Sequence, residues 1–343
     1  MYSAVLTSIL PVCLLVLLGA ALCRSRFLPP VFFTQMNRLG FWLLLPALLF
    51  STLAKAPASA GATGLRVGLL LCACSVAVTL VGWLAARALG LSGGSARSLM
   101  QAAMRGNLAY TGLPVLIYTF GEHSTAAAVA VIALAPTIPF YNFLAVLILT
   151  SDKPVRGEPR PPASISCGMG VSPMNDTLPA LSGNEALSGR LLRTLTALLR
   201  NPLIIGCGLG LLLLKSGLHL PAGLFSAVEA LGRAALPCAL LALGAGLTPD
   251  RLRTNCRPAL VATALKLVAM PALGYAGARL LGFSGETLLI ALLYLASPCA
   301  VTSYVMADQM GADKELAGAA IVLSTLLCLP VMALILLLFG VRG

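Results

Sequence analysis

The segment RGNLAYTGLP, residues 105–114, places groups that could bind a small charged solute inside an otherwise apolar stretch of chain. These groups are one cation, one carboxamide, two hydroxyls and a proline that lacks a backbone donor: Arg105, Asn107, Tyr110, Thr111 and Pro114. Guanidinium and neutral donors together suit an anion. The segment indicates an anion site at a weakened point of an apolar element.

A second apolar stretch, ASPCAVTSYVMADQ at residues 296–309, is interrupted in the same way. Its proline and polar side chains are Ser297, Pro298, Thr302, Ser303, Tyr304 and Asp308. Asp308 is the clearest acidic residue near either interruption, which makes it a candidate for carrying a coupling ion.

The composition shows what kind of protein must position these groups. The 343 residues are 59% hydrophobic and 10% charged, with a mean hydropathy of +0.95. Apolar runs of about 20 residues, the length that spans a bilayer as a helix, recur along the chain. An all-α polytopic membrane protein with lipid as a partner is predicted. The net charge of +12 lies mostly between the runs and is not interleaved with aromatics, so no nucleic-acid partner is expected.

Ten membrane spans are predicted, in two groups of five. They cover residues 3–23, 32–54, 65–89, 97–120, 124–149, 192–214, 222–248, 257–281, 286–308 and 315–339. The segment between the groups is rich in Pro, Gly and Ser, so we expect a flexible solvated loop there. The chain thus divides into residues 1–150, the loop 151–190, and residues 191–343.

The two groups of spans repeat each other in sequence. ARALGLSG begins at Ala86 and ARLLGFSG at Ala278, an offset of 192 residues. Pairs at offsets of 190 to 192 follow in order along the chain: Pro11 with Pro202, Gly19 with Gly210, Pro46 with Pro237, Gly90 with Gly282, and Gly121 with Gly311. A repeat with an odd number of spans inverts its copy, which predicts the inverted-repeat architecture of secondary transporters.

The distribution of cations predicts the orientation. With the amino terminus outside, the cytosolic segments hold 14 Lys and Arg residues and the outer segments hold five. This positive-inside bias places both termini outside and the loop 151–190 in the cytoplasm. The membrane expected is the inner membrane of a bacterium or a plasma membrane.

The two polar interruptions fall at equivalent places in the repeats. The segment 105–114 lies in the middle of the fourth span, and the repeat offset maps Asn107 onto Pro298 in the ninth. Paired interruptions of this kind mark the binding site of a transporter, and the N-termini of the half-helices favour an anion. The alternative is that Pro114 and Pro298 merely kink two helices.

Six motifs spread over both repeats are characteristic in combination. They are LGFWLLLPALLF, GNLAYTGLPVL, NPLIIGCGLGLL, LPCALLALGAGL, ALKLVAMPAL and SPCAVTSYVMADQMGADKELAGAAIVLSTLL. Together they resemble the auxin efflux carrier family of membrane transporters. The resemblance implies two inverted five-helix repeats whose broken helices 4 and 9 cross, as in sodium/proton antiporters and bile-acid transporters. It also implies a scaffold of helices 1, 2, 6 and 7, a transport domain of helices 3–5 and 8–10, and elevator-type alternating access.

The resemblance also implies roles for individual residues. Substrate binding carries over onto Asn107, Pro114 and Pro298 at the crossing and onto Asn142 in the fifth span. Bacterial members of the family are associated with small carboxylates such as malonate and malate. Plant members place an asparagine beside the ninth-span proline, whereas serine and cysteine flank it here. This difference argues against auxin itself as the substrate.

Polar groups within the spans each have two interpretations. Arg105 pairs with a substrate carboxylate, or it forms a structural ion pair or snorkels to the interface. Lys266 neutralises helix ends at the crossing or binds substrate. Asp308 carries a coupling proton or sodium ion, or it simply meets the cytoplasmic loop. Ser324 contacts the ligand, or it bonds to the backbone of its own helix. Asn142, polar in apolar surroundings, is a candidate ligand contact.

Three shorter patterns are explained by packing. Glu229 and Arg233 lie four residues apart, which predicts an ion pair on one helix face. The run GCGLG at Gly206–Gly210 predicts close approach of two helices. Cys72 and Cys74 have no neighbouring histidine or second cysteine pair, so we expect packed thiols and no metal site.

The function predicted from these observations is secondary transport of a small organic anion, a carboxylate resembling auxin, malate or malonate. No cofactor or metal is expected, and a proton or sodium ion is the candidate coupling ion. The candidate assembly is a homodimer in which the apolar faces of the scaffold helices meet. A channel or a solute sensor with the same fold is the alternative. An intramembrane hydrolase fits least, because GLSGG at Gly90–Gly94 lacks the strand-turn-helix context of a G-x-S-x-G motif and its repeat copy reads GFSGE.

Overall fold

The structure is a computed structural model that describes residues 2–57, 60–150, 202–216, 218, 220–246 and 256–339. Within these ranges every extended regular element is helical. The predicted loop 151–190 and the start of the predicted sixth span lie outside the described residues.

The described helices follow the predicted spans in order. We label them α1 (Tyr2–Arg24), α2 (Val31–Ala54), α3 (Ala60–Ala88), α4a (Gly93–Met104), α4b (Leu108–Phe120), α5 (Thr125–Thr150), α6 (Pro202–Ser216), α7 (Ala222–Ala245), α8 (Cys256–Leu280), α9a (Gly285–Leu295), α9b (Thr302–Gln309) and α10 (Lys314–Phe339). Helix α3 begins at Ala60, five residues earlier than predicted. Six of these helices, α2, α3, α5, α7, α8 and α10, are long and apolar enough to cross a bilayer. The chain is a multi-pass, all-helical membrane protein.

Three of the described helices contain a π-turn shortly before a proline. The turns are Gly40–Leu44 before Pro46, Leu108–Gly112 before Pro114, and Leu265–Ala269 before Pro271. A proline has no N–H to donate, and its ring clashes with the carbonyl four residues earlier. The wider turn is one of the ways in which a helix absorbs such a disruption. These prolines therefore shape α2, α4b and α8 locally without ending them.

Glycines bring α1, α2, α6 and α7 into close contact. A Cβ added at Gly206 or Gly210 would overlap the backbone carbonyl of Pro46 or Phe50 in α2. Gly232 of α7 packs in the same way on Leu48. The close approach predicted for GCGLG is thus confirmed for the two outer glycines.

The remaining helices form a second set of contacts. Helix α3 packs along α5 and α4a and also contacts α8 and α9a, while α10 packs on α8, α9a and α9b. Gly64 and Gly68 allow α3 to approach Ile132 and Ala133 of α5 within van der Waals distance. The interrupted helices α4 and α9 lie inside this second set.

Turns at the ends of these helices repeat at the spacing seen in the sequence. Gly90 and Gly282 have φ values of 68° and 73°, and Gly93 and Gly285 have φ values of 53° and 52°. These left-handed conformations strain any residue with a Cβ. The short turns that lead into α4a and α9a therefore have the same backbone geometry.

Candidate functional site

The segment between α4a and α4b meets the segment between α9a and α9b in the interior of the protein. Gly106 and Cys299 face each other as an antiparallel bridge. The amide of Asn107 donates to the carbonyl of Pro298 at 2.7 Å, and the amide of Ala300 donates to the carbonyl of Arg105 at 3.0 Å. These two bonds satisfy backbone groups that the broken helices leave unpaired, which is the condition for extended chain at membrane depth.

Neighbouring helices hold the two unwound segments in place. The hydroxyl of Ser324 in α10 accepts a hydrogen bond from the amide of Cys299 at 2.9 Å. The phenol of Tyr294, at the end of α9a, donates to the carbonyl of Ala130 in α5 at 2.9 Å. Ser297 donates back to the carbonyl of Tyr294 at 2.6 Å. Ser324 also donates to the carbonyl of Ile321 at 3.2 Å, which is the bond to its own helix backbone that one of its two interpretations described.

Arg105 caps the C-terminal end of α4a and is almost completely buried, at 5% exposure. Its guanidinium donates to Oδ1 of Asn142 in α5 and contacts the sulfur of Met306 in α9b at 2.7 Å. Both partners are neutral. Among the described residues Arg105 makes no ion pair with a carboxylate, so the interpretations as a structural ion pair or a snorkelling side chain do not hold there.

Lys266 is the second buried cation at the crossing. It is fully buried, and its ammonium nitrogen lies 3.1 Å from the sulfur of Met270. A Cβ added at Gly106 would lie 2.9 Å from this nitrogen and 2.6 Å from the hydroxyl oxygen of Ser297. The ammonium thus abuts the unwound backbone, and glycine at 106 leaves the room that it needs. Within the described chain Lys266 has no acidic partner either.

Both cations lie where a half-helix ends. The C-terminal end of a helix carries partial negative charge and carbonyls without intrahelical partners. The ends of α4a and α9a meet at the crossing, so Arg105 and Lys266 oppose that charge. A helix end supplies only a fraction of a unit charge, about half of one. The charge of Arg105 balances about two such helix ends, so a protonated Lys266 would add positive potential at the crossing.

Several buried polar groups at the interruptions have spare hydrogen-bonding capacity. In the described part of the chain, Nδ2 of Asn107, Oγ1 of Thr111 and Oε1 of Gln101 are buried and have no partner. A buried polar group that stays unpaired costs about 1–3 kcal/mol. The end of α4a and the start of α4b therefore present two neutral donors and one acceptor that a ligand could satisfy.

The other predicted site residues occupy different environments. Pro114 and Ser303 are buried, whereas Tyr110, Thr302, Tyr304 and Asn142 are half-buried. Asp308 is exposed at 53% of its side chain and pairs with Lys314 at 2.8 Å. This contact with the segment between α9b and α10 is the one that the second interpretation of Asp308 described.

Gln101 and Met306 were missed by the analysis of the sequence. Gln101 precedes Arg105 by one helical turn on α4a, and its amide nitrogen lies 3.7 Å from the same sulfur of Met306 that Arg105 contacts. The i, i+4 spacing of two polar residues in an apolar helix was the available signal for Gln101. Met306 had none, since a methionine in an apolar span is ordinary.

Residues 4–336 match the sequence profile of the family described as "Membrane transport protein", to which the auxin efflux carriers belong. The chain belongs to the auxin efflux carrier family of membrane transport proteins. This confirms the resemblance drawn from the motifs, and it confirms a transporter family in place of an enzyme.

Three relatives illustrate the range of the family. An uncharacterized transporter of Methanothermobacter thermautotrophicus is 26% identical over 94% of each chain. Probable auxin efflux carrier component 5b of Oryza sativa subsp. japonica is 32% identical over 106 residues, and auxin efflux carrier component 1 of Arabidopsis thaliana is 26% identical over 149 residues. These matches cover 31% and 42% of this chain but only 26% and 24% of the two plant proteins.

Proposed function

We propose that this family member is a secondary transporter of a small organic anion, a carboxylate, which binds where the interrupted helices α4 and α9 cross. One observation carries the proposal: Arg105 and Lys266 are buried there without an acidic partner among the described residues. An unpaired charge inside a membrane protein is expensive and is retained where it serves function. A substrate carboxylate would supply the missing counter-charge.

The proposed binding mode uses the predicted residues in defined roles. Arg105 pairs with the carboxylate, and Asn107 and Thr111 donate hydrogen bonds from groups that are otherwise unpaired. Lys266 holds positive potential behind Gly106. The first-turn amides of α4b and α9b add partial positive charge. Asn142 orients the guanidinium through its Oδ1.

The proposed mechanism is elevator-type alternating access between two inverted five-helix repeats. The scaffold would be α1, α2, α6 and α7, which pack on one another through glycines, and the transport domain would be α3–α5 with α8–α10. The matched turn geometry at Gly90 and Gly282 supports the duplication. The crossing lies wholly within the proposed transport domain, so substrate and site would move together.

Further parts of the proposal follow from the family and the charge pattern. We expect both termini outside, the loop 151–190 in the cytoplasm, and a location in a bacterial inner membrane or a plasma membrane. A proton or a sodium ion remains the candidate coupling ion, and a homodimer through the scaffold remains the candidate assembly.

The experiment that tests the proposal measures, by thermal shift, the binding of a panel of mono- and dicarboxylates to the purified full-length protein. Arg105→Gln and Lys266→Met each replace one buried basic group by a neutral side chain, and Lys215→Met does the same at an exposed position as the control. We expect at least one carboxylate to stabilise the wild type and the control, with the shift lost in the two crossing variants. A panel without any effect, or a shift equal in all four proteins, would overturn the anion site.

A further inference from the structure

Gln101 is a buried residue whose carboxamide nitrogen has a contact and whose carboxamide oxygen has none among the described residues. The residue has no exposed surface, and its Nε2 lies 3.7 Å from the sulfur of Met306. Its Oε1 is buried without a donor among the described residues. Sulfur is a weak acceptor, so it occupies the nitrogen end of the amide and leaves the oxygen end for another group.

The position of Gln101 on α4a connects it to the crossing. Gln101 and Arg105 lie one turn apart and contact the same sulfur atom of Met306. Leu99 and Ala102 of the same helix pack in an apolar cluster with α8 and α10. The carboxamide and the guanidinium therefore share one polar face that turns towards α9b.

The free atom of Gln101 is an acceptor, and its neighbour is a cation. A ligand held by Arg105 carries negative charge. If that ligand placed a second carboxylate beside Gln101, two acceptor oxygens would face each other and no hydrogen bond could form. A cationic donor would be repelled by the guanidinium. The group that satisfies both requirements is a neutral donor on an anion, such as a hydroxyl attached near a carboxylate.

We propose that Oε1 of Gln101 accepts a hydrogen bond from a hydroxyl group of the transported anion, so that the site selects hydroxycarboxylates over carboxylates without a hydroxyl. This inference rests on the proposed anion site at Arg105 and names the substrate class of that site. Sites built to hydrogen-bond a substrate hydroxyl reject an analogue that lacks it, because a buried polar group is then left unpaired.

The test compares matched ligand pairs on the purified full-length protein. Lactate with propionate, and malate with succinate, differ by one hydroxyl group, and dissociation constants are measured by titration calorimetry. We expect the wild type to prefer the hydroxylated member by about tenfold or more, the scale of one hydrogen bond. In Gln101→Met, which keeps the length of the side chain, affinity for the hydroxylated member falls to that of its partner, while affinity for the partner is unchanged.

Two further variants guard against a general effect on folding. Ser98→Ala removes a buried, unpaired hydroxyl one turn further from the crossing, and the hydroxyl preference should persist. Gln101→Glu keeps an acceptor oxygen, so the preference should persist there too, although the added charge beside Arg105 weakens binding of every anion.

The outcomes separate this inference from the function on which it rests. If carboxylates bind in an Arg105-dependent way but the wild type does not distinguish the members of a pair, the role of Gln101 is refuted and the anion site stands. The same holds if Gln101→Met discriminates as well as the wild type does. If no carboxylate binds, both proposals fall together.

Discussion

At the scale of single residues, the bond between Arg105 and Asn142 defines the character of the site. A guanidinium paired with a neutral amide keeps its full charge, whereas a carboxylate partner would neutralise it. Buried arginines are usually paired. The amide at position 142 therefore leaves the cation without a counter-charge from this partner, as the proposed anion site requires.

Asn142→Asp tests this point with a change of charge at constant shape. We expect the aspartate to pair with Arg105, so the ligand-free protein keeps or gains thermal stability, while carboxylate affinity falls by about tenfold or more. The measurement is the thermal midpoint with and without the carboxylate that stabilises the wild type. Asn37→Asp adds the same charge in α2 as the control. A variant that binds as the wild type does would show that the anion does not contact Arg105.

At the scale of elements, small residues decide how closely the helices approach. Helix α6 offers a test within one five-residue run. Gly206 packs on the backbone of Pro46, whereas a Cβ added at Gly208 would meet no described part of another helix within 4 Å. Overpacking forces backbone shifts, whereas a valine that faces lipid adds no contact. The two glycines are thus a matched pair for a packing experiment.

Gly206→Val should lower the free energy of unfolding by about 1–3 kcal/mol, and Gly208→Val should leave it nearly unchanged. Thermal midpoints of the detergent-solubilised proteins provide the comparison. Equal midpoints for the two variants would contradict the α2–α6 packing described above.

At the scale of the whole molecule, the turns before α4a and α9a provide a test of whether the two repeats are inverted. Ser92 and Ser284 begin α4a and α9a with nearly the same backbone angles, φ −135°, ψ 168° and φ −145°, ψ 169°. Both are exposed and both stand between two left-handed glycines. If the repeats are inverted, these equivalent positions lie on opposite sides of the membrane.

Cysteines introduced singly at these positions should therefore label from opposite sides. With a membrane-impermeant maleimide on intact cells, Ser284→Cys should react and Ser92→Cys should react only after permeabilisation. The unsubstituted protein measures the background from its native thiols. Reaction of both variants from the same side would refute the inverted arrangement.

A cluster of polar contacts around Glu229 connects the two proposed bodies. Glu229 of α7 pairs with Lys55 at the end of α2 at 3.0 Å, with His123 in the turn before α5 at 3.3 Å, and with Arg233 at 3.4 Å. The last contact confirms the pair predicted from the four-residue spacing. Lys55 and Glu229 belong to the proposed scaffold, whereas His123 belongs to the proposed transport domain.

This arrangement allows a direct test of relative motion. Bridging His123→Cys to Glu229→Cys with a short bifunctional thiol reagent should abolish uptake of the transported carboxylate, because it ties the two bodies together. Bridging Lys55→Cys to Glu229→Cys within the scaffold should leave uptake intact. Each variant without reagent is its own reference, and uptake that survives the first bridge would exclude an elevator movement.

Local properties of the sequence determined a large part of this protein. Apolar runs of span length predicted where the helices lie, and Pro114 and Pro298 with their glycine and polar neighbours predicted where two of them break. These features depend on consecutive residues, because hydropathy, helix length and backbone constraints are each set within a few helical turns. The family likewise followed from motifs within single spans.

Only the tertiary structure decided which side chains meet at the crossing. Arg105 contacts Asn142 and Met306 across separations of 37 and 201 residues, and Lys266 abuts Gly106. Such pairs carry no local signal, because they depend on how separate helices pack and cross. For the same reason the sequence alone allowed two interpretations of Arg105. The structure gives its guanidinium neutral partners, which leave its positive charge uncompensated among the described residues.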